Sequence, residues 1–369
     1  MANKKSVDDF ELNLVEELSD KFRAEGSNAT AAFLWDSSAI IEEWISTGSI
    51  VLDTVLSNKR DGGIPVGRLT EIAGAEGAGK TLLASYILAN TQKMGGIAVF
   101  IDTEHAASMD VLQAVGVDVQ KLFYIQAGSI EDVFRALDTI IHKIQAAGAR
   151  DKLVTIVWDS VAATSTMAEI EGDYNAQTIG MAARRISQGL RKIIPTVSTH
   201  RVACVFINQL RTKIGVMFGD PFVTSGGKAI PYHASIRLRL MHYQALKDKT
   251  TKREYGKVIK CQVKKNKVAP PMREVLYHIR WGDRPGAWMD ESATLLDIAL
   301  EAGMLKKITS QKYALIANPT IEFNKKKWDD LLKEPDFFEE IKRGIQDYLI
   351  ITKENISEDL DRVETGEEI

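Results

Sequence analysis

The chain has 369 residues, of which 45% are hydrophobic and 26% are charged, as is usual for globular proteins, and this length suffices for two or three domains of about 150 residues. Two cysteines, Cys204 and Cys261, are too few for a disulfide scaffold and argue against a cysteine-based zinc site. With no signal peptide and no apolar run near about 18 residues, the sequence predicts a cytoplasmic protein that enters no membrane.

The net charge of −3 conceals an uneven distribution of charge along the chain. Between Lys247 and Lys267 there are nine basic residues against two acidic ones, whereas residues 354–369 contain seven acidic residues and one arginine. Because an acidic tail can cancel a basic surface in the sum, the net charge does not exclude a nucleic-acid partner.

The N-terminal segment, residues 1–44, has the pattern of a helical arm. Apolar residues recur at helical spacing over residues 6–24 and predict a helix with a narrow apolar stripe, which Gly26 ends. The strand-like segment NATAAFLWDSS follows. A short helix needs a surface to pack against, and two interpretations stay open: an arm folded on its own core, and an arm docked on a neighbouring subunit.

From residue 45 to about residue 270, apolar strands alternate with helices. The strand segments are RLTEIAG, IAVFID, KLFYIQA, LVTIVWDS and VACVFIN, and helical segments such as KTLLASYILANTQKM lie between them. This alternation predicts an α/β domain, a doubly wound and mostly parallel sheet with helices on both faces. A smaller α+β module is predicted over residues 271–350, followed by an acidic tail, residues 351–369.

The segment GAEGAGKT, Gly74–Thr81, matches the phosphate-binding pattern GxxxxGK[ST] and lies between a predicted strand and a predicted helix. Its glycines let backbone N–H groups point at phosphates, and the helix adds its positive N-terminal end. Lys80 is expected to neutralise the β- and γ-phosphates, and the Thr81 hydroxyl to ligate Mg²⁺. The predicted nucleotide contacts in this segment are Gly74, Ala75, Glu76, Gly77, Ala78, Gly79, Lys80, Thr81 and Leu82.

Two further predicted strands end in carboxylates. LVTIVWDS carries Asp159 at its end, which we predict to contribute to the nucleotide site and the Mg²⁺ shell. IAVFIDTEHA offers Asp102 and Glu104, and a carboxylate there can orient and deprotonate an attacking water. The spacing alone does not choose between Asp102 and Glu104.

The segment NQLRTKIGVMFGDPFVTSGGK, residues 208–228, has the pattern of neither a helix nor a strand. It contains four glycines, three basic residues and an apolar Val-Met-Phe triplet. A loop of this length inside a compact domain is usually functional or disordered. The segment is therefore a candidate binding loop.

Seven motifs, in order, resemble the RecA family of recombinases, in particular its bacterial type and the phage relatives of that type. They cover about residues 40–300 and comprise ISTGSIVLD, GIPVGRLTEIAGAEGAGKT, FIDTEHA, VWDSVAA, EIEGD with IGMAARRISQGLRK, NQLRTKIGVMFGDP with SGGKAI, and VKKNKVAPP. The resemblance implies a RecA-like P-loop NTPase fold with ATP and Mg²⁺ as cofactors.

The resemblance also implies roles for individual residues. Glu104 matches the family's catalytic glutamate, and Gln209 matches the glutamine that senses the γ-phosphate and couples it to the following loop. Lys265 and Lys267 match lysines that reach the ATP of a neighbouring subunit, where they would stabilise transition-state charge as an arginine finger does. A solvated basic strand is the alternative for these two lysines.

Two loops in the family hold single-stranded DNA, and residues 169–180 and 208–228 match them. Basic side chains and backbone groups would contact phosphates, while apolar side chains such as Val216 would wedge between unstacked bases. The DNA-binding candidates are Glu169, Gly172, Gly180, Arg184, Arg185, Arg211, Lys213, Ile214, Gly215, Met217, Phe218, Gly226, Gly227 and Lys228.

The sequence departs from the bacterial pattern in several places. Val111 stands where the family stacks a tyrosine on adenine, and Ser108 replaces an acidic residue, so we expect a different base pocket. In the C-terminal module, NKKKW, residues 324–328, offers either a basic-aromatic patch for duplex DNA or a solvated lysine run. The acidic tail is expected to compete with DNA for the basic surface.

Together with these patterns, the resemblance implies an ATP-dependent DNA recombinase. Its subunits would form a helical filament on single-stranded DNA, hydrolyse ATP in a DNA-dependent manner, search double-stranded DNA for homology and exchange strands, with single-strand-binding and mediator proteins as further partners. Two other functions stay open, a hexameric motor on the same fold and a non-hydrolysing mediator. The paired loop motifs and KKNK argue against the motor, and the complete phosphate site argues against the mediator.

Overall fold

The structure is a computed structural model that describes residues 9–26, 31–33, 40–149, 151–172, 180–212, 219–282 and 285–352. By its internal contacts the chain divides into two units, Met1–Glu43 and Trp44–Ile369. In the first unit, helix α1 spans Asp9–Ala24, where the apolar spacing predicted a helix. Most of the predicted strand-like segment after it lies outside the described residues, so both interpretations of the arm stay open.

The second unit contains all the other described helices and strands. Its helices are α2 (Ile50–Ser57), α3 (Lys80–Lys93), α4 (Met109–Ala114), α5 (Ile130–Ala146), α6 (Met167–Glu171), α7 (Met181–Thr199), α8 (Ala229–His233), α9 (Glu291–Glu301), α10 (Lys325–Leu331) and α11 (Pro335–Leu349). Its strands are β1 (Trp44–Ile45), β2 (Ile64–Pro65), β3 (Leu69–Gly74), β4 (Ile97–Asp102), β5 (Leu122–Gln126), β6 (Val154–Asp159), β7 (Val202–Thr212), β8 (Phe222–Thr224), β9 (Ile236–Lys247), β10 (Glu254–Asn266), β11 (Glu274–Trp281), β12 (Ala287–Met289), β13 (Leu305–Lys307), β14 (Lys312–Leu315) and β15 (Glu322–Asn324). Within the described part of the chain, no helix has both the length and the apolar character needed to span a bilayer.

Among the described residues, ten strands form one large sheet in the order β12-β11-β10-β9-β3-β7-β6-β4-β5, with β8 paired to β7 beside this path. The neighbours from β9 to β5 are all parallel, because helical crossovers connect strands of this kind. Strands β10, β11 and β12 extend the sheet in antiparallel fashion. The prediction of a mostly parallel α/β sheet is confirmed.

Two buried clusters lie on opposite faces of this sheet. Along β7, Ala203, Val205 and Ile207 belong to one cluster, and Cys204 and Phe206 belong to the other. Because successive residues of a strand point to opposite faces, this alternation places one cluster on each side. Helices α2, α3, α9 and α11 cover the first face, and α5, α7 and α8 cover the second.

The prediction that residues 208–228 contain neither helix nor strand is wrong for the ends of this segment. Strand β7 continues to Thr212, and β8 returns antiparallel to it, with Leu210 opposite Thr224 and Thr212 opposite Phe222. The pairing satisfies backbone groups that a free loop would leave to water. Residues 213–218 lie outside the described residues.

The large sheet continues past the boundary predicted at residue 270, through β11 and β12. Strands β13, β14 and β15 then form a separate antiparallel sheet that begins at Leu305. The residues predicted as the C-terminal module therefore comprise two strands of the large sheet, the small sheet and helices α9 to α11. The division of the chain into an α/β domain and a C-terminal module stays a prediction.

Trp328 organises the aromatic core beside the small sheet. It is fully buried, its ring stacks on Phe323 with centroids 5.5 Å apart, and it meets Phe337 edge to face at 5.8 Å. Its Nε1–H donates to the carbonyl oxygen of Ser292 at 3.0 Å. The hypothesis of a basic-aromatic patch at residues 324–328 is therefore wrong for the tryptophan, because its ring is buried in the core. The three lysines before it are exposed.

Trp328→Ala is expected to lower the free energy of unfolding by about 3–5 kcal/mol, the usual cost of truncating a buried tryptophan. Guanidinium chloride denaturation followed by circular dichroism measures this change. Lys326→Ala, on the exposed side of the same helix, is the matched control and should change stability by less than about 0.5 kcal/mol. Equal stability of the two variants would contradict the aromatic core.

Candidate functional site

The glycine-rich segment Gly74–Thr81 connects the end of β3 to the start of α3. Gly77 and Gly79 adopt positive φ angles of 67° and 84°, a region that favours glycine. At Gly79 an added Cβ would lie 2.5 Å from Cδ1 of Ile279, so the end of that side chain on β11 would have to shift. The segment thus turns tightly into a helix whose free N–H groups can receive an anion.

Lys80, Thr81 and Asp159 meet at this turn. Lys80 Nζ donates to the carbonyl oxygen of Ala75 at 2.8 Å, and Thr81 Oγ1 donates to Oδ2 of Asp159 at 2.6 Å. Burial lowers the pKa of Lys80, with the carboxylate of Asp159 acting in the opposite direction. Burial also raises the pKa of Asp159 to about 6. The structure brings together the three residues that the sequence assigned to the phosphate and metal site.

The oxygen atoms at this turn suit a magnesium ion. Mg²⁺ takes hard oxygen ligands and usually keeps several waters and substrate phosphates, so one hydroxyl and one carboxylate are a sufficient protein contribution. The pair formed by Thr81 and Asp159 meets that requirement. Within the described residues there is no cluster of three or more His, Cys, Asp or Glu side chains that would instead form an all-protein cage.

Asp102 and Glu104, which the spacing left as alternatives, have different surroundings. Asp102 is buried: its Oδ1 accepts from the N–H of Glu104 at 3.0 Å, and its Oδ2 accepts from the N–H of Ala107 at 3.0 Å and from the Tyr124 hydroxyl at 2.8 Å. Glu104 is exposed, and its Oε1 accepts from the Ser160 hydroxyl. Both oxygens of Asp102 are therefore engaged in shaping the turn, which leaves Glu104 as the accessible carboxylate.

Gln209 lies directly beside the start of the glycine-rich segment. In the parallel pairing of β3 with β7, Gln209 is the partner of Gly74, and its side chain is exposed. The preceding residue, Asn208, is fully buried. The end of β7 therefore carries an exposed amide next to the glycine-rich segment before the chain continues into the β7–β8 hairpin.

Lys265 and Lys267 contact helix α8 of the same chain and not its glycine-rich segment. Lys265 Nζ donates to the carbonyl oxygens of Pro231 at 2.6 Å and Tyr232 at 3.0 Å, and Lys267 Nζ donates to the latter at 3.4 Å. Burial, followed by the charge of Lys267, lowers the pKa of Lys265 to about 8. Both lysines thus lie at helix α8, and neither forms a described hydrogen bond with the glycine-rich segment Gly74–Thr81 of the same chain.

The residues predicted to bind in the first loop fall partly in helices. Glu169 lies in α6, where its carboxylate accepts from the N–H of Thr166 at 2.7 Å and completes a capping box. Gly172 follows that helix, and Gly180, with a φ of 77°, precedes α7. Arg184 and Arg185 are exposed in the first turns of α7.

The second loop is described at both of its ends. Arg211 is exposed on β7, and Lys228 is exposed at the start of α8. An added Cβ at Gly226 would lie 2.8 Å from Cδ1 of Ile186, and one at Gly227 would lie 2.8 Å from Cβ of Ala183. Residues 220–227, which contain β8 and are called the returning arm of the hairpin below, therefore pack closely on α7. The candidates Lys213, Ile214, Gly215, Met217 and Phe218 lie outside the described residues.

The structure also reveals a contact that the sequence did not indicate. Lys257 on β10 donates from Nζ to the carbonyl oxygen of Gly77 at 3.3 Å, and the same ammonium lies 5.4 Å from the ring centroid of Trp281. The run of basic residues after Lys247 signalled positive charge, but only the antiparallel extension of the sheet brings this lysine to the glycine-rich segment.

Comparison with known proteins agrees with this geometry. Residues 19–284 match the family model described as the RecA N-terminal domain. The chain belongs to the RecA family. The resemblance inferred from the seven motifs is thereby confirmed.

Relatives that carry the name Protein RecA match most of the chain. The RecA protein of Rubrobacter xylanophilus is 41% identical over 263 residues, which cover 71% of this chain and 72% of that protein. That of Bacteroides thetaiotaomicron is 42% identical over 272 residues, 74% of this chain and 78% of the relative. That of Rhodococcus jostii is 39% identical over 305 residues, 83% of each chain. Membership of the RecA family supports a RecA-type recombinase with DNA-dependent ATPase activity.

Lys80→Ala is expected to abolish measurable nucleotide binding, because it removes the cation that faces the phosphates in a P-loop. Titration with a fluorescent ATP analogue in the presence of Mg²⁺ measures this loss. Lys93→Ala, at the exposed C-terminal end of the same helix, is the control and should bind the analogue as the wild type does. Retained affinity in Lys80→Ala would remove this lysine from the site.

Proposed function

We propose that the protein is an ATP-dependent homologous DNA recombinase. It forms a helical filament on single-stranded DNA, hydrolyses ATP at the interfaces between subunits, and catalyses homology search and strand exchange in recombination and DNA repair. The observation that carries this proposal is the pairing of Gly74 with Gln209. This pairing joins the proposed phosphate turn, Gly74–Thr81, to the base of the β7–β8 hairpin. Family membership supports the same activity.

In the proposed nucleotide site, the residues bind the phosphates, hold Mg²⁺ or activate the attacking water. Residues Gly74 to Leu82 surround the phosphates, with Lys80 opposite their negative charge and the N–H groups of α3 aimed at them. Thr81 and Asp159 would hold Mg²⁺, which neutralises phosphate charge when it is bound. Glu104 orients the attacking water and accepts its proton, a role supported by the engagement of both Asp102 oxygens elsewhere.

Lys265 and Lys267 are proposed to act on the ATP of a neighbouring subunit. In a single copy both ammonium groups donate to backbone carbonyls at α8, so they stand ready to exchange those acceptors for phosphate oxygens across an interface. Two cations brought to the γ-phosphate from a second subunit stabilise transition-state charge as an arginine finger does. Gln209 completes this unit by linking the γ-phosphate to the hairpin that follows it.

Single-stranded DNA is proposed to lie along residues 169–180 and 208–228. Exposed Arg184 and Arg185 at the start of α7 and exposed Arg211 on β7 supply charge for phosphates. The close packing of Gly226 and Gly227 on α7 supports a common surface, because it joins the described end of the second segment to the helix that follows the first. This arrangement suits a binding site that follows a phosphate backbone.

Further partners are proposed from the resemblance. The exposed lysines 325–327 beside the small sheet would collect double-stranded DNA, and single-strand-binding and mediator proteins would assist loading. A cytoplasmic location fits the two buried free cysteines, whose thiol pKa values burial raises to about 12, since such thiols need no oxidising compartment.

Two other functions use the same fold and are separated by experiment. A hexameric motor would form closed rings where a recombinase forms filaments, and electron micrographs with single-stranded DNA and an ATP analogue distinguish the two. A non-hydrolysing mediator would lack ATPase activity. The proximity of Lys80, Thr81, Asp159 and Glu104 favours hydrolysis, because these residues supply the groups that one subunit would contribute to a P-loop ATPase site.

The decisive test is ATP hydrolysis with Mg²⁺, with and without single-stranded DNA. Wild-type hydrolysis should rise strongly with single strands, and Glu104→Gln should reduce it by about 10²–10⁴-fold, the usual contribution of a general base. Glu340→Gln, an exposed carboxylate on α11, is the control and should retain wild-type rates. A rate of ATP hydrolysis that does not change with DNA would instead favour the motor. A wild type that hydrolyses no ATP would favour the mediator.

Arg211→Ala is expected to weaken binding of single-stranded DNA and to flatten its salt dependence by about 1 in the logarithmic slope, the effect of one lost phosphate contact. Fluorescence anisotropy over a range of salt concentrations measures the slope. Arg135→Ala, an exposed arginine paired with Asp132 on α5, is the control and should keep the wild-type slope. An unchanged slope in Arg211→Ala would exclude this residue from the phosphate contacts.

A further inference from the structure

A buried polar network joins both ends of the β7–β8 hairpin and is not explained by binding or catalysis. At its centre is Asn208, which is fully buried. Its Nδ2 donates to Oε1 of Glu71 at 3.0 Å and to the carbonyl oxygen of Ser225 at 3.0 Å, and its Oδ1 accepts from the N–H of Gln209 at 2.9 Å. One side-chain amide therefore contacts β3, the backbone of Gln209 and the returning arm of the hairpin.

Glu71 supplies a buried charge to this network. Its side chain is fully buried on β3, and its Oε2 accepts from Nε of Arg237 on β9 at 2.5 Å. Nη2 of the same arginine lies 3.5 Å from Oγ1 of Thr224 on β8. A buried ion pair contributes little net stability, because the loss of hydration offsets the attraction between the charges. A role in holding a defined geometry explains its presence better than stability does.

The position of Gln209 makes the amide of Asn208 necessary. Strand β7 pairs with β6 only as far as Phe206, so Gln209 lies beyond the end of that ladder. The side-chain oxygen of Asn208 takes over as acceptor for its N–H. Because the amide group is planar, a displacement of the Gln209 backbone that rotates this oxygen also misaligns the two donor contacts of Nδ2.

We propose that Asn208 and Glu71 are positioning residues. They make the backbone of Gln209 move together with the returning arm at Thr224 and Ser225. Through this coupled movement, ATP bound beside Gln209 raises the affinity for single-stranded DNA. The inference rests on the proposed function and concerns how its two sites communicate. Glu71 anchors the side-chain amide of Asn208 to β3, the strand that continues into the phosphate turn. Arg237 contacts both the carboxylate of Glu71 and the hydroxyl of Thr224 on the returning arm. By thermodynamic linkage, DNA must raise the affinity for ATP by the same factor.

A second tether of the same arm provides a matched control. Asp220 contacts Arg239 at 2.5 Å and Lys264 at 3.2 Å, and the Arg239 guanidinium lies 5.0 Å from the ring centroid of Phe222. These contacts hold the arm to β9 and β10 and include neither Asn208 nor Gln209. Loosening this tether should alter DNA affinity equally with every nucleotide, whereas breaking the Asn208 network should alter the difference between nucleotides.

The test compares the affinity of the full chain for single-stranded DNA with Mg²⁺ and either a non-hydrolysable ATP analogue or ADP, measured by fluorescence anisotropy. Asn208→Ala and Glu71→Gln should each reduce the ratio of the two affinities by about tenfold, as expected for the loss of a buried hydrogen bond to a charged group. Asp220→Asn should leave the ratio unchanged. Thr155→Val, which removes a buried hydroxyl contact elsewhere in the sheet, controls for a general loss of stability.

The outcomes separate the network from the proposed function. Wild-type ratios in both Asn208→Ala and Glu71→Gln would overturn the network alone, as would an equal drop in Thr155→Val. A wild type whose DNA affinity ignores the nucleotide would overturn the proposed recombinase mechanism as well.

Hydrogen exchange on the wild type gives a test that needs no variant. Without DNA, the ATP analogue should slow amide exchange in the segments 204–212 and 222–230 in parallel, because the network joins their backbones. Slower exchange in the first segment alone would show that the arm does not follow Gln209, and the inference would be wrong.

Discussion

The parallel pairing of β3 with β7 is the constraint on which the rest of the site depends. β3 leads directly into the glycine-rich turn, and β7 leads directly into the hairpin, so the register between them sets where the two segments meet. A slip of one residue would reverse the side chains between the two faces of the sheet and move Gln209 away from Gly74. Close packing against helices on both faces opposes such a slip, because the buried side chains of β7 on each face would have to be repacked.

Much of this arrangement follows from local patterns in the sequence. Apolar strands alternating with helices specified a mostly parallel sheet, and the spacing of glycines before Lys80 and Thr81 specified the turn between β3 and α3. Such features are predictable because each depends on residues that are close together in the chain. Even the position of Asp159 beside Thr81 follows from the rule that parallel strands end at the same edge of the sheet.

The parts that escaped prediction depend on contacts between distant residues. The spacing of Asp102 and Glu104 does not distinguish them, and their structural difference arises from the Tyr124 hydroxyl and the N–H of Ala107, which both donate to Asp102. The strand structure at the end of β7 depends on antiparallel pairing with β8, which lies about ten residues further along the chain, so the sequence of residues 208–212 alone does not indicate it. Trp328 was open to two interpretations because three lysines precede it, and its burial is decided by aromatic partners from other elements.

The position of Lys265 and Lys267 at α8 has a consequence for assemblies of different length. If each complete site takes these lysines from the next subunit, an open chain of subunits always has one site fewer than it has members. The subunit at one end then binds ATP without being able to turn it over efficiently. Turnover per subunit rises with length towards a plateau, and a newly added terminal subunit keeps its nucleotide until a further subunit covers it.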